Sequence, residues 1–231
     1  MSKQAEKDYP LKVDPYLLYH KPYWDPTSLR EFGLALKVLQ ERLPKGGSVL
    51  DLGCGSGWSS LFLARAGWNV TGVDISERMI EIARERAARE EVDVAFAVAD
   101  LEHLDLEKRD FDGVFLFDAL HHCPQYAQAL ARACAHVKPG GYLLLMEPSW
   151  LHLVSPHARA TSREYGVTEL GFTRMGLRRT LRRAGFQRTW FYHDAGPIYR
   201  GLGGFLLANF RLWCSYLFCY PRIKQIALAQ K

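Results

Sequence analysis

Short, almost wholly apolar runs alternate along the chain with stretches in which apolar residues recur every three or four positions. The runs are SVLDL (48–52), NVTGVD (69–74), VAFAVAD (94–100), FDGVFLFD (111–118) and YLLLME (142–147), and helical periodicity fills 58–66, 76–89 and 125–136 between them. Runs of this length read as strands buried on both faces. Strands alternating with helices predict an α/β fold, a Rossmann-like doubly wound, mainly parallel sheet with helices on both faces. A further helix is predicted near 173–184, followed by a strand in FQRTWFYH (186–193). No convincing antiparallel strand closes the sheet after it. Upstream, Ser28 and Glu31 have the spacing of a capping box opening a helix whose apolar face is Leu29, Phe32, Leu36, Leu39 and Leu43. Pro44-Lys45-Gly46-Gly47 ends it.

The pattern divides the chain into an N-terminal lid and helix (1–46), the alternating domain (47–196) and an apolar C-terminal helical extension (197–231). Within the extension, GLGGFLLANFRLWCSYLFCY (201–220) is interrupted only by Arg211. A charge at its centre speaks against a membrane-spanning helix. It leaves packing on the core, a homodimer contact, or a peripheral membrane contact through 197–220. With 231 residues, 48% of them hydrophobic, the chain can bury one good core but not two full-sized domains. A net charge of +5 favours anionic partners without choosing one. The five cysteines include no CxxC pair, so neither a disulfide framework nor a zinc site is indicated. The N-terminus lacks the pattern of a signal peptide, and the expected location is the cytoplasm, or peripherally the inner face of the membrane.

The sharpest chemical signal is VLDLGCGSGW, residues 49–58, where a strand enters a glycine turn and then a helix. Gly53, Gly55 and Gly57 allow a tight turn and close approach to a ligand. Asp74 ends the next strand about twenty residues later, where a carboxylate can accept both hydroxyls of a ribose. Trp58 stands where a nicotinamide fingerprint needs its third glycine, and no Lys-Ser or Lys-Thr follows the turn as a triphosphate loop requires. Asp51 suits the positively charged amino-acid end of a ligand. The strand ends gather Asp51, Asp74, Asp100, Asp118 and Glu147 on one rim.

These spaced motifs resemble those of class I S-adenosylmethionine-dependent methyltransferases of the methyltransferase-11-like type, across roughly residues 48–147. VLDLGCGSGW is similar to the family's first motif, VTGVDIS sets Asp74 at its ribose-binding position, and VKPGGYLLLME is similar to its fifth-strand region. The resemblance implies S-adenosylmethionine as cofactor and a seven-stranded sheet. It implies cofactor contacts from Cys54 and Trp58 in the first motif, and from Ile75 and Met79 after the second strand. It further implies contacts from Asp100 and Leu101 at the adenine, and from Phe117 and Asp118 beside the methyl group.

A methyl sulfonium is already activated, so the protein's task is to align a nucleophile and exclude water. An oxygen acceptor must also lose a proton. His121 and His122, just past the fourth strand, are candidate bases; His122 is the first choice, with Glu147 as acid partner or substrate ligand. Metal-independent activity is expected, because the consecutive His121, His122 and Cys123 cannot readily all face one ion. The acceptor is expected to be a small molecule or a glycan- or lipid-linked group, methylated at oxygen. EPSWLHLVSPHARATSREYGVTELGF also resembles methyltransferases of cell-surface glycan and secondary-metabolite pathways, which implies a pocket of Trp150, His152, Glu164, Tyr165 and Glu169 under a lid of Tyr19, Tyr23 and Trp24. Two alternatives stand beside this. One is RNA methylation along the arginine face of the 173–184 helix (Arg174, Arg178, Arg179, Arg182, Arg183), although the absence of a (D/N)-P-P-(Y/F) or Pro-Cys motif disfavours nucleic acid. The other is a non-catalytic cofactor-binding partner protein.

Overall fold

The computed structural model describes residues 3–107, 109–192 and 224–231. Strand β1 (Ser48–Leu52) leads through the glycine turn into α4 (Trp58–Arg65). Then follow β2 (Asn69–Asp74), α5 (Glu77–Arg89), β3 (Ala95–Val98), β4 (Phe111–Phe117), α6 (Tyr126–His136) and β5 (Val137–Pro148). After a short 3-10 turn come α7 (Pro156–Tyr165), α8 (Arg174–Ala184), β6 (Arg188–Tyr192) and β7 (Lys224–Gln230). The sheet has the order β3-β2-β1-β4-β5-β7-β6. β1 pairs in parallel with both β2 and β4, so the strand order reverses there and opens a crevice at the carboxyl ends of β1 and β4.

Strand residues alternate between two cores. Val49, Phe115, Phe117, Leu144 and Met146 pack with α3 (Pro26–Arg42) and with Trp58 and Leu63 of α4. Leu50, Val114, Leu116, Leu143 and Leu145 pack on the other face with Leu130 of α6 and with Leu177 and Leu181 of α8. The two apolar faces make the strands read as continuous hydrophobic runs, as the sequence pattern requires.

Two expectations need correction. The sheet does have a closing antiparallel strand: β7 inserts between β5 and β6, antiparallel to both, with Gln225 through Ala229 buried. Its apolar run is brief and ends the chain, so by pattern alone it merged with the apolar segment before it. The rest of that expected extension, 201–220 with Arg211, lies outside the described residues. The helix expected to open at a Ser28 capping box starts at Pro26 instead. Its cap is Asp25, which accepts from the backbone of Thr27 and Ser28, while the buried Ser28 hydroxyl donates to the same carboxylate at 2.7 Å. The N-terminal segment holds α1 (Lys3–Lys12) and α2 (Pro15–His20) ahead of α3.

The glycines of the turn have different work. At Gly53 a Cβ would meet the Cβ of Ala119 at 2.3 Å, and at Gly57 that of Ala83 at 2.8 Å; both have positive φ. The first lets the ends of β1 and β4 meet, and the second lets α4 lie against α5. Gly57→Ala therefore combines a left-handed backbone with a steric clash. It is expected to cost about 1–3 kcal/mol, read as a melting temperature lowered by several degrees; an unchanged melting curve would refute the packing role.

Candidate active site

A cavity of about 720 Å³ opens at the crevice between β1 and β4, within the range of roughly 300–1,000 Å³ usual for small-molecule sites. Its floor is the glycine turn with Asp74, Asp100 and Asp118. α1 and the α2–α3 connection cover it from one side, and the segment after β5 from the other.

At the turn, Asp74 accepts from the backbone of Gly55 and of Ser76, each at 2.9 Å. Burial raises its pKa, while these backbone donors and that of Ile75 work the other way. Two bonds leave a carboxylate further acceptor positions. Gly55 has φ +52 with nothing within 4 Å of the place a Cβ would take, so of the three glycines it is the one with open space beside it. Cys54, Trp58, Ile75, Met79, Leu101 and Phe117 complete this part of the wall. An acceptor of ribose hydroxyls, an open backbone turn and an apolar slot fit a nucleoside cofactor.

Asp51 and Gly57 do not belong to this wall. Asp51 is buried behind the turn and accepts from the hydroxyls of Ser59 at 2.7 Å and Ser60 at 2.6 Å. It ties β1 to the start of α4, and burial, partly offset by those hydroxyls, pushes its pKa up to about 6. Asp100 does line the cavity, but it is also held by Lys3 of α1, which pairs with Glu102 as well at 2.6 Å. Asp118, expected beside the methyl group, sits at the end of β4 with φ 53 and pairs with Lys224, which also reaches Glu31 at 2.8 Å.

The acceptor side is built on Glu147. Its carboxylate is fully buried at the end of β5 and accepts from the backbone of Ala119 (3.0 Å), Leu120 (2.8 Å) and His121 (3.3 Å). Its Oε2 also lies 2.8 Å from His121 Nδ1. A carboxylate only accepts, so the Nδ1 proton belongs to His121 and its Nε2 is left facing Glu169, whose Oε2 is 3.8 Å away. Both residues line the cavity. Burial lowers the His121 pKa, but Glu147, Asp118 and Glu169 together outweigh it, and the net direction is upward from the ordinary value. Of the two roles expected of Glu147, its contact with His121 is seen directly, and it is not among the residues that line the cavity.

His122 differs from its neighbour. Its Nδ1 donates to the Thr168 carbonyl at 2.7 Å, and burial together with the adjacent His121 holds its pKa down at about 3. It is therefore neutral at neutral pH, whereas His121 is held against a carboxylate. The donor atoms of His121, His122 and Glu169 do come within 4.8 Å of one another, a convergence that the consecutive run of His121, His122 and Cys123 did not lead one to expect. In this structure they are engaged with Glu147, Thr168 and His152.

Of the expected acceptor residues, His152, Glu169 and Trp24 line the cavity, with His152 Nε2 2.6 Å from Glu169 Oε2. The others do not. Tyr19 donates to Glu85 on α5. Tyr23 and Trp150 are exposed outside the cavity, and Tyr165 packs edge-on against Tyr9. The aromatic character was legible, but which side of the segment faces inward depends on chain turns that pattern does not give. Conversely, Lys3, Glu6, Tyr9, Lys21 and Lys224 line the cavity without having been anticipated. They come from α1, the α2–α3 connection and β7, none of which carries a motif. Glu6 accepts from the Thr168 backbone at 2.8 Å, and burial raises its pKa to about 7.

Residues 49–141 match the family described as "Methyltransferase domain". The chain is similar to the ubiquinone biosynthesis O-methyltransferase of Coxiella burnetii, with 36% identity over 109 residues, 47% of each chain. It is also similar to the 27-O-demethylrifamycin SV methyltransferase of Amycolatopsis mediterranei, with 36% identity over 137 residues, 54% of this chain and 49% of that one. The matches span about half the length of these curated relatives. A solved S-adenosylmethionine-dependent methyltransferase from Mesorhizobium loti shares the fold, with a TM-score of 0.64 at 21% identity over 84% of this chain and 96% of that one.

Removing the Glu147 carboxylate strands three buried backbone donors and a buried imidazole. Glu147→Ala is expected to cost about 3–5 kcal/mol in denaturant unfolding, and Glu147→Gln, which keeps an acceptor oxygen, distinctly less. Equal stability of the two variants would contradict this account.

Proposed function

We propose that the chain transfers a methyl group from S-adenosylmethionine to an oxygen of a small-molecule acceptor, with His121 as general base. The observation that carries this reading is the His121–Glu147 pair. A buried carboxylate fixes the tautomer and orientation of an imidazole whose second nitrogen is turned to the cavity. The names of the two curated O-methyltransferases support oxygen as the acceptor atom.

When bound, S-adenosylmethionine supplies an electrophilic methyl carbon on sulfur, and a neutral thioether leaves. Asp74 and the open face at Gly55 hold the nucleoside. His121 Nε2, turned to the cavity, would take the proton of an acceptor hydroxyl as that oxygen is methylated. The resulting imidazolium is stabilised by Glu147, already in contact with Nδ1. Glu169 and His152 bound the acceptor's space, and α1 with Trp24 keeps water from it.

His121→Gln is expected to lower kcat by about 10²–10⁴-fold while leaving affinity for S-adenosylhomocysteine unchanged, and near-normal turnover would remove the base. Because the base must be neutral and its pKa is raised from the ordinary 6.5, the acid limb of activity is expected to lie above that of a free imidazole, and Glu147→Gln should move that limb to lower pH. An acid limb in the same place in both proteins would count against the pair. Asp74→Asn is expected to weaken S-adenosylhomocysteine binding about tenfold in calorimetry; undiminished affinity would overturn the ribose assignment.

A further inference from the structure

Two groups of metal-ligating side chains converge at or beside the cavity. In one, Asp100 and Glu102 stand with His103, but Lys3 already supplies the cation there, its Nζ 2.5 Å from Asp100 and 2.6 Å from Glu102. In the other, His121, His122 and Glu169 each bring one ligand atom within 4.8 Å of the other two, and all three residues line the cavity. Glu169 pairs with His121 and His152 and with no lysine or arginine among the described residues.

Each member of the second group is held from behind. Glu147 fixes the ring proton of His121 on Nδ1 at 2.8 Å, so the lone pair lies on Nε2, 3.8 Å from Glu169 Oε2. The Thr168 carbonyl does the same for His122, accepting from Nδ1 at 2.7 Å and leaving the lone pair on Nε2. His152 Nε2 donates to Glu169 at 2.6 Å and holds its carboxylate. Imidazoles whose far nitrogens donate to a carboxylate or a backbone carbonyl, beside a carboxylate that is itself hydrogen-bonded, are the arrangement that orients ligands around a metal ion. Zinc bonds of about 2.0–2.2 Å put ligand atoms roughly 3.4 Å apart, and His121 Nε2 and Glu169 Oε2 stand within about half an ångström of that spacing. Two neutral imidazoles with the carboxylates Glu147 and Glu169 also balance a doubly charged ion.

We propose that His121, His122 and Glu169 form a site for a divalent transition-metal ion of the zinc type, with a fourth position open to the cavity. Two imidazoles select such an ion over magnesium, which takes a shell of oxygen ligands. The ion occupies the same Nε2 lone pair of His121 that accepts the proton in methyl transfer. Metal binding and base function therefore exclude each other, and an ion in the site switches the transfer off. The site stands on geometry alone, and only this inhibition rests on the methyltransferase reading.

Metal binding is read without turnover, by calorimetric titration of the full, chelator-treated chain with Zn²⁺ and by the visible absorption of Co²⁺ in the same site. Zn²⁺ is expected to bind and to displace Co²⁺, and Mg²⁺ to displace neither. Glu169→Gln and His122→Ala are each expected to lower zinc affinity about 10–100-fold or more. His103→Ala and Cys123→Ser, at neighbouring donors outside the site, should leave it unchanged, and melting curves verify that the variants fold. No zinc binding, or binding that survives both Glu169→Gln and His122→Ala undiminished, would overturn the site. In nitrogen-15 spectra zinc should move the His121 Nε2 resonance and leave Nδ1 protonated; an unmoved Nε2 would overturn the exclusion between ion and base. Zinc binding as expected in a chain that does not bind S-adenosylhomocysteine would instead refute the methyltransferase reading and leave the site standing.

Discussion

One buried carboxylate holds the acceptor side of this protein together. Glu147 leaves the end of β5 at the moment the neighbouring β4 has ended and its chain turns over the sheet edge. Three successive backbone N–H groups of that turn would be orphaned in the interior, and all three donate to Glu147, with His121 Nδ1 as a fourth donor. Satisfying buried backbone donors and aiming an imidazole are here the same act. The position of His121 is consequently set by the end of the sheet, although His121 itself lies in the 3-10 turn after β4.

The same economy governs the other end of the crevice. Asp74 braces the glycine turn through Gly55 and the start of α5 through Ser76, and Asp51 ties β1 to α4 through two serine hydroxyls. Acids at strand ends thus divide into those that hold the protein to itself and those with capacity left for a ligand. Asp51 and Glu147 belong to the first group. Asp74, Asp100 and Asp118 line the cavity and can serve both purposes. Covering this rim, α1 brings Lys3 to Asp100 and Glu6 to Thr168, so the N-terminal helix is anchored to the site that it closes.

The alternating core was legible because its strands are buried on two faces by side chains that also give them away as sequence. The glycine turn and Asp74 were legible because backbone constraint and cofactor chemistry act on adjacent residues. Legibility ended where side-chain direction depends on turns. Trp24 and His152 face the cavity, whereas Tyr23 and Trp150, with the same chemical character, face outward. Nor could the different partners of the adjacent histidines be read, Glu147 for His121 and the Thr168 carbonyl for His122. β7 escaped notice for a different reason: a short strand between two others needs only a few apolar residues, and these adjoin a longer apolar run.

The central claim is that Glu147 presents His121 to the cavity as a base with its proton on Nδ1. It is tested most directly by nitrogen-15 NMR of the histidine rings, with His121 assigned by comparison with His121→Gln. The account predicts that Nδ1 stays protonated throughout and that Nε2 titrates above the ordinary pKa of 6.5. A ring carrying its neutral-form proton on Nε2, or titrating below that value, would contradict it.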